Sequence, residues 1–157
     1  MIIVSRRTFL KSTLAASLFG LLGTALVKPL RAFAAEWPKA AFESKQLDEA
    51  LKALYGSSAL TTSGSVKIKA PPQAENGAVV PIAVSTTLPG VESIAILVEK
   101  NPSPLIAQVT LVPGTEGYFS ARMKMGQTSD VYAVVKSQGR LYSAKQTIKV
   151  TVGGCGG

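Results

Sequence analysis

From Ser65 to Val152 the chain alternates apolar and polar residues with a period of two, in short runs broken by glycine and proline. A strand turns successive side chains to opposite faces, so this pattern predicts half-buried strands. The runs are Ser65 to Ala70, Ala78 to Thr86, Val91 to Lys100, Ile106 to Val112, Tyr118 to Met125, Val131 to Ser137 and Leu141 to Val152. Between them stand turn-forming stretches: Glu75-Asn76-Gly77, Leu88-Pro89-Gly90, Asn101-Pro102-Ser103-Pro104, Pro113 to Gly117, and Gln138-Gly139. About seven short strands at this spacing predict an all-β, immunoglobulin-like β-sandwich over 65–152. The disulfide and tryptophan marks of antibody domains are missing, because there is one cysteine and Trp37 precedes the strands.

Ahead of the strands, in the segment 35–64, the period changes. Leu47, Ala50, Leu51 and Leu54 recur at three- and four-residue spacing, which predicts one helix over Lys45 to Tyr55 with Ser44 as N-cap and Gly56 as the stop. Its apolar stripe is expected to cover a face or edge of its own domain rather than serve as a dedicated partner helix. Pro81 interrupts an otherwise regular strand and lacks a ladder N–H, so that strand is expected at a sheet edge or bulged. An exposed edge can accept another chain, and a covered edge fits the same pattern equally well.

The last strand, Thr147 to Val152, alternates cleanly and runs straight into Gly153-Gly154-Cys155-Gly156-Gly157. Glycine has no Cβ and accepts nearly all backbone angles, so the tail reads as a flexible arm. Cys155 lies three residues beyond Val152, and at about 3.3–3.6 Å per extended residue it can stand roughly 10 Å from the strand's end.

Residues 1–34 change the meaning of the composition. Ser5-Arg6-Arg7-Thr8-Phe9-Leu10-Lys11 has the form of a twin-arginine export signal, and the apolar run Leu14 to Val27 and the small-x-small site Ala32-Phe33-Ala34 follow it. A run of about 14 residues is short of the roughly 20 needed to span a bilayer, so cleavage after Ala34 is expected, with no membrane anchor in the mature form. Cleavage leaves 123 residues, one ordinary domain. It removes five of the 17 Lys and Arg and none of the nine Asp and Glu, so the net charge falls from +8 to +3. The basic balance therefore belongs largely to the signal, and no dense cationic cluster with interleaved aromatics remains to favour nucleic acid.

The chemistry concentrates on one atom. With no histidine, one cysteine and scattered carboxylates, the chain lacks the usual donors for zinc, haem or iron–sulfur clusters, and no cofactor or metal is expected. Twin-arginine export carries folded proteins, so a partner acquired before export is the better explanation for it. A lone cysteine in an oxidising compartment must be buried, reactive or paired with another chain, which includes a disulfide homodimer through Cys155. A free thiol has a pKa near 8.5 and is only a few per cent thiolate at pH 7; no histidine is available as base, and the carboxylate at Gly157 pushes the wrong way. Without a base or an oxyanion site, Cys155 reads as a substrate presented to visiting enzymes, not as a catalyst.

These residues resemble a known family. The tail Val150 to Gly157, with its GGCGG end, is similar to that of SoxY, the covalent sulfur carrier of periplasmic thiosulfate oxidation. Ala74-Glu75-Asn76-Gly77-Ala78-Val79-Val80-Pro81 and Glu99-Lys100-Asn101-Pro102-Ser103-Pro104-Leu105 resemble internal SoxY segments. The resemblance implies that Cys155 carries inorganic sulfur on an arm formed by Gly153, Gly154, Gly156 and Gly157, in the periplasm. It further implies a heterodimer with SoxZ, a second sandwich protein without its own export signal. The implied visiting enzymes are a c-type cytochrome that conjugates thiosulfate, a hydrolase that releases sulfate and a sulfane dehydrogenase. The rival from another class is a small-protein modifier, or thiocarboxylate sulfur donor, activated at its C-terminal Gly-Gly. Cytoplasmic ATP-dependent activation and a strand-rich body count against it. A thiol peroxidase lacks its resolving cysteine and base, and in an adhesion sandwich the tail would be incidental.

Overall fold

The structure, a computed structural model, describes residues 37–151. The expected export signal, Val152, and the arm from Gly153 through Cys155 to Gly157 lie outside the described residues. Two helices, α1 (Lys39–Glu43) and α2 (Leu47–Tyr55), precede nine strands. The strands are β1 (Thr61–Thr62), β2 (Val66–Lys69), β3 (Gln73–Ala74), β4 (Val80–Thr86), β5 (Val91–Val98), β6 (Leu105–Thr110), β7 (Tyr118–Met123), β8 (Ser129–Ser137) and β9 (Arg140–Val150). All seven runs read from the alternation are strands, with every end within two residues of the one read. The additions are α1, β1 and β3, each too short to show a period.

Two sheets face each other. The larger runs β1-β9-β8-β5-β6, with β3 also on β9, and the smaller runs β2-β4-β7. Between them lie Val80, Ile82 and Val84 of β4 against Ile94, Ile96 and Val98 of β5, Val131, Ala133 and Val135 of β8, and Ile148 of β9. The fold is an immunoglobulin-like sandwich, as the alternation predicts.

Helix α2 packs on its own domain. Ala50 and Leu51 are fully buried, and with Ala41 of α1 they meet Ala95 and Leu97 of β5, Val134 of β8, and Leu105 and Leu141. This second core explains why β5 reads as a nearly continuous apolar run, Ser-Ile-Ala-Ile-Leu-Val: even-numbered residues face the other sheet and odd-numbered ones face the helices. Gly56 stops α2 in the left-handed conformation at φ 76°, its N–H donating to the Lys52 carbonyl. Two expectations are corrected at the other end. The helix begins at Leu47, not Lys45, and Ser44 is not its N-cap. Ser44 closes α1 by donating its hydroxyl to the Ala40 carbonyl, so that side chain is already engaged when α2 starts.

Pro81 is also corrected. Its strand β4 is the central one of the small sheet, neither an edge nor bulged, and Pro81 pairs with Arg122 of β7. The tolerance has a local cause. Thr86 N–H donates toward β7, to Gly117, so by alternation the odd-numbered positions aim their backbone nitrogens toward β2. That strand ends with Lys69 opposite Ala83, so at Pro81 no β2 residue is left to miss a donor.

Candidate functional site

Cys155 lies four residues beyond Thr151, the last described position. The described part of the site is therefore the base from which the arm departs, and it is held from both sides. Parallel strand β3 pairs with the end of β9, Gln73 with Lys149 and Ala74 with Val150. Lys149 N–H donates to the Pro72 carbonyl at 3.0 Å and Thr151 N–H to the Ala74 carbonyl at 3.1 Å. On the opposite side Val150 N–H donates to Thr128 Oγ1 at 3.0 Å. Consecutive amides point to alternate sides of a strand, and here each finds a partner up to Thr151. At about 3.3–3.6 Å per residue, the covalent chain gives Cys155 a reach of up to roughly 14 Å from Thr151.

The two internal segments that resemble SoxY meet at this base. Gly77 accepts a hydrogen bond at its carbonyl from Met125 N–H at 2.7 Å, and Asn76 Oδ1 closes its own turn by accepting from Ala78 N–H at 2.8 Å. Asn101 reaches across to the same loop: Nδ2 donates to the Lys124 carbonyl at 2.7 Å, and Oδ1 accepts from Gly126 N–H at 3.3 Å. Thr128, which holds Val150, ends that loop. Segments 74–81 and 99–105 thus clamp the turn at 124–128, and the turn clamps the strand that carries the arm. Glycine is required at 77 by close approach, because an added Cβ would run into the Met125 carbonyl oxygen and stand 3.0 Å from Val150 Cγ1.

Asp130 at the start of β8 adds an electrostatic tie across to β9. It accepts a short hydrogen bond from the Thr147 hydroxyl and pairs with Lys145 at 3.0 Å. Those two partners, the hydroxyl first, hold its carboxyl below the usual range. Lys100, Lys124 and Lys149 are exposed at this end. Among the described residues there is no group of three or more His, Cys, Asp or Glu able to hold a metal. A groove of about 880 Å³ lies elsewhere, on the outer face of the small sheet between Lys69, Pro71, Pro81, Ala83, Tyr118 and Arg122. The described end of β9 is thus hydrogen-bonded on both sides up to Thr151.

Sequence reasoning missed this clamp. Thr128, Asn101, Gly77 and the two-residue strand β3 have no periodic or motif signal of their own. Gly77 and Asn101 were legible only as turn residues within the two segments that carry the family resemblance, and nothing along the chain joined them to β9.

No curated protein matches this chain. The solved structure of the sulfur carrier protein SoxY from Chlorobium limicola f thiosulfatophilum is 40% identical over 68% of this chain and 97% of its own, with a TM-score of 0.63. Superoxide reductase (neelaredoxin) from Ignicoccus hospitalis is 20% identical over 55% of this chain and 80% of its own, with a TM-score of 0.50, a likeness of fold alone. The family model for "Sulfur oxidation protein SoxY" matches residues 51–155, from the buried face of α2 to the cysteine itself. A sandwich whose terminal strand is clamped by the two SoxY-like segments, matched by that model through to Cys155, belongs to the SoxY family.

Proposed function

We propose that this chain is a covalent sulfur carrier of thiosulfate oxidation, exported to the periplasm by the twin-arginine route, with Cys155 as the attachment site and Gly153, Gly154, Gly156 and Gly157 as its arm. The observation that carries the reading is the clamped end of β9: the backbone is hydrogen-bonded on both sides up to Thr151, and the only cysteine of the sequence follows within a few residues. Loading joins the Cys155 sulfur to the sulfane sulfur of thiosulfate. The thiol and thiosulfate together give a Cys–S–S–sulfonate, one proton and two electrons, the electrons passing to a c-type cytochrome enzyme. Hydrolysis then adds water across the S–S bond to the sulfonate, releasing sulfate and a proton and leaving a cysteine persulfide. A sulfane dehydrogenase oxidises the remaining sulfur. The carrier supplies none of these reactants except the thiol. SoxZ is the proposed heterodimer partner.

The test is intact-mass analysis of protein from cells exposed to thiosulfate, with the peptide after Lys149 sequenced. Reductant-labile sulfur adducts should sit on Cys155, and Cys155→Ser should keep its fold and partner while sulfur turnover stops. An adduct on the Gly157 carboxyl would instead identify a Gly-Gly modifier, and an unmodified thiol would end the carrier reading.

A further inference from the structure

The sheet edges of this sandwich are not treated alike. The free side of β9 is covered by β1, through Thr61 with Tyr142 and Thr62 with Ser143, and by β3 at its far end. Edge strand β2 carries Lys67 and Lys69, and edge strand β7 carries Arg122 with Lys124 just beyond. Covering strands and charged side chains are the two common defences against unwanted strand pairing. Edge strand β6 has neither. From Leu105 to Val112 the sequence is Leu-Ile-Ala-Gln-Val-Thr-Leu-Val, without a charge or a proline.

The backbone of β6 is sorted by its pairing with β5. Val109 pairs with Ile94 and Ala107 with Ile96, and Leu111 N–H donates to the Glu92 carbonyl at 2.9 Å. Odd-numbered residues therefore turn their N–H and C=O groups toward β5. Gln108 and Thr110 turn theirs outward, where among the described residues no backbone group meets them. Ile106, Ala107, Val109 and Leu111 remain half-buried, leaving apolar surface that a neighbouring strand would cover. The one irregularity, between Ile96 and Leu97, lies at the start of the strand and leaves the rest regular.

We infer that β6 is the docking edge for an uncharged, extended strand of a second β-sandwich subunit, the heterodimer partner, added antiparallel through the backbone of Gln108 and Thr110. This rests on the carrier reading for the existence of that subunit. Alternating outward donors and acceptors are satisfied by a strand. A different chain is favoured over a second copy because each mature chain carries a net charge of +3 as a whole, so two copies repel as they approach. The placement suits delivery: β6 lies three strands from β9, about 14 Å at roughly 4.8 Å per strand, so a partner on β6 leaves the arm's exit open.

The experiment is a titration of the mature chain with SoxZ, read by calorimetry and by amide hydrogen exchange. In the complex, the amides of Gln108 and Thr110 should become protected, while that of Val109, bonded to β5, is protected throughout. Gln108→Pro removes only an outward N–H and should weaken binding at least tenfold with the fold kept. Gln108→Ala retains that N–H and should bind normally. Should Gln108→Pro fail to fold, the pair Gln108→Lys and Thr110→Lys keeps every bond to β5 and should show the same loss. Unchanged exchange at Gln108 and Thr110 on binding would overturn the inference, as would an equal loss in Gln108→Ala and Gln108→Pro. Protection of those amides by self-association of the chain alone would overturn the choice of occupant. A wild-type chain that does not bind SoxZ would overturn the partner assignment, whereas the carrier reading is judged separately by the adduct on Cys155.

Discussion

At the scale of single residues, the proposed attachment thiol and the residues that hold the end of β9 differ in how they can be recognised. Cys155 is conspicuous because it is the only cysteine and has glycine on both sides. Gly77 is one glycine among 14, and its importance comes from a carbonyl oxygen 48 residues away in sequence. Adding a Cβ there forces Met125 or Val150 to move, an overpacking penalty of about 1–3 kcal/mol. Gly77→Ala is therefore expected to lower stability by that amount in urea unfolding. It should also increase amide exchange at Val150 and Thr151. A variant with wild-type stability would show that the 124–128 turn yields without strain.

At the scale of elements, the β8–β9 hairpin is the lever that connects the body to the arm. Its two-residue turn, Gln138-Gly139, has positive φ at both positions, 50° and 72°, the geometry that matches strand twist in tight hairpins. Glu92 supports the turn by accepting from Gly139 N–H and pairing with Lys136 at 2.8 Å, while Asp130 ties the other end to Thr147 and Lys145. Both carboxyls are held below their usual range, Glu92 chiefly by Lys136 and Asp130 chiefly by the Thr147 hydroxyl. A depressed folded-state value means the stabilisation is complete above the ordinary carboxylate range, near pH 4, and is lost as pH falls through the lower folded-state values. Thermal unfolding from pH 7 to pH 2.5 should show that decline, and Asp130→Asn should make it shallower. Both pairs are partly solvent-exposed, so the effect is expected to be modest and to shrink in salt.

At the scale of the whole molecule, three layers are stacked: small sheet, large sheet and helices. Leu51 is fully buried at the centre of the outer interface, against β5 and β8. Leu51→Ala should cost about 2–5 kcal/mol, visible as a lower denaturation midpoint. It should also expose the apolar outer face formed by Ala95, Leu97 and Val134, measured as increased binding of a hydrophobic dye. Retention of wild-type stability would mean that the helices add little to the sandwich.

The alternation from Ser65 to Val152 was sufficient to locate all seven long strands, because strand formation is encoded in neighbouring residues. The expectation for the tail is likewise local, resting on one thiol with glycines on both sides. The positions of Ser44 and Pro81 were misread because their roles depend on partners far off in sequence. Ser44 is engaged by the preceding helix, and Pro81 is tolerated in a central strand because β2 ends before reaching it. For the same reason only the tertiary structure revealed the clamp at the arm's base and the uncharged outer edge of β6. Both consist of hydrogen-bonding groups brought together or left open by pairing between distant segments, and no period along the chain records such pairing.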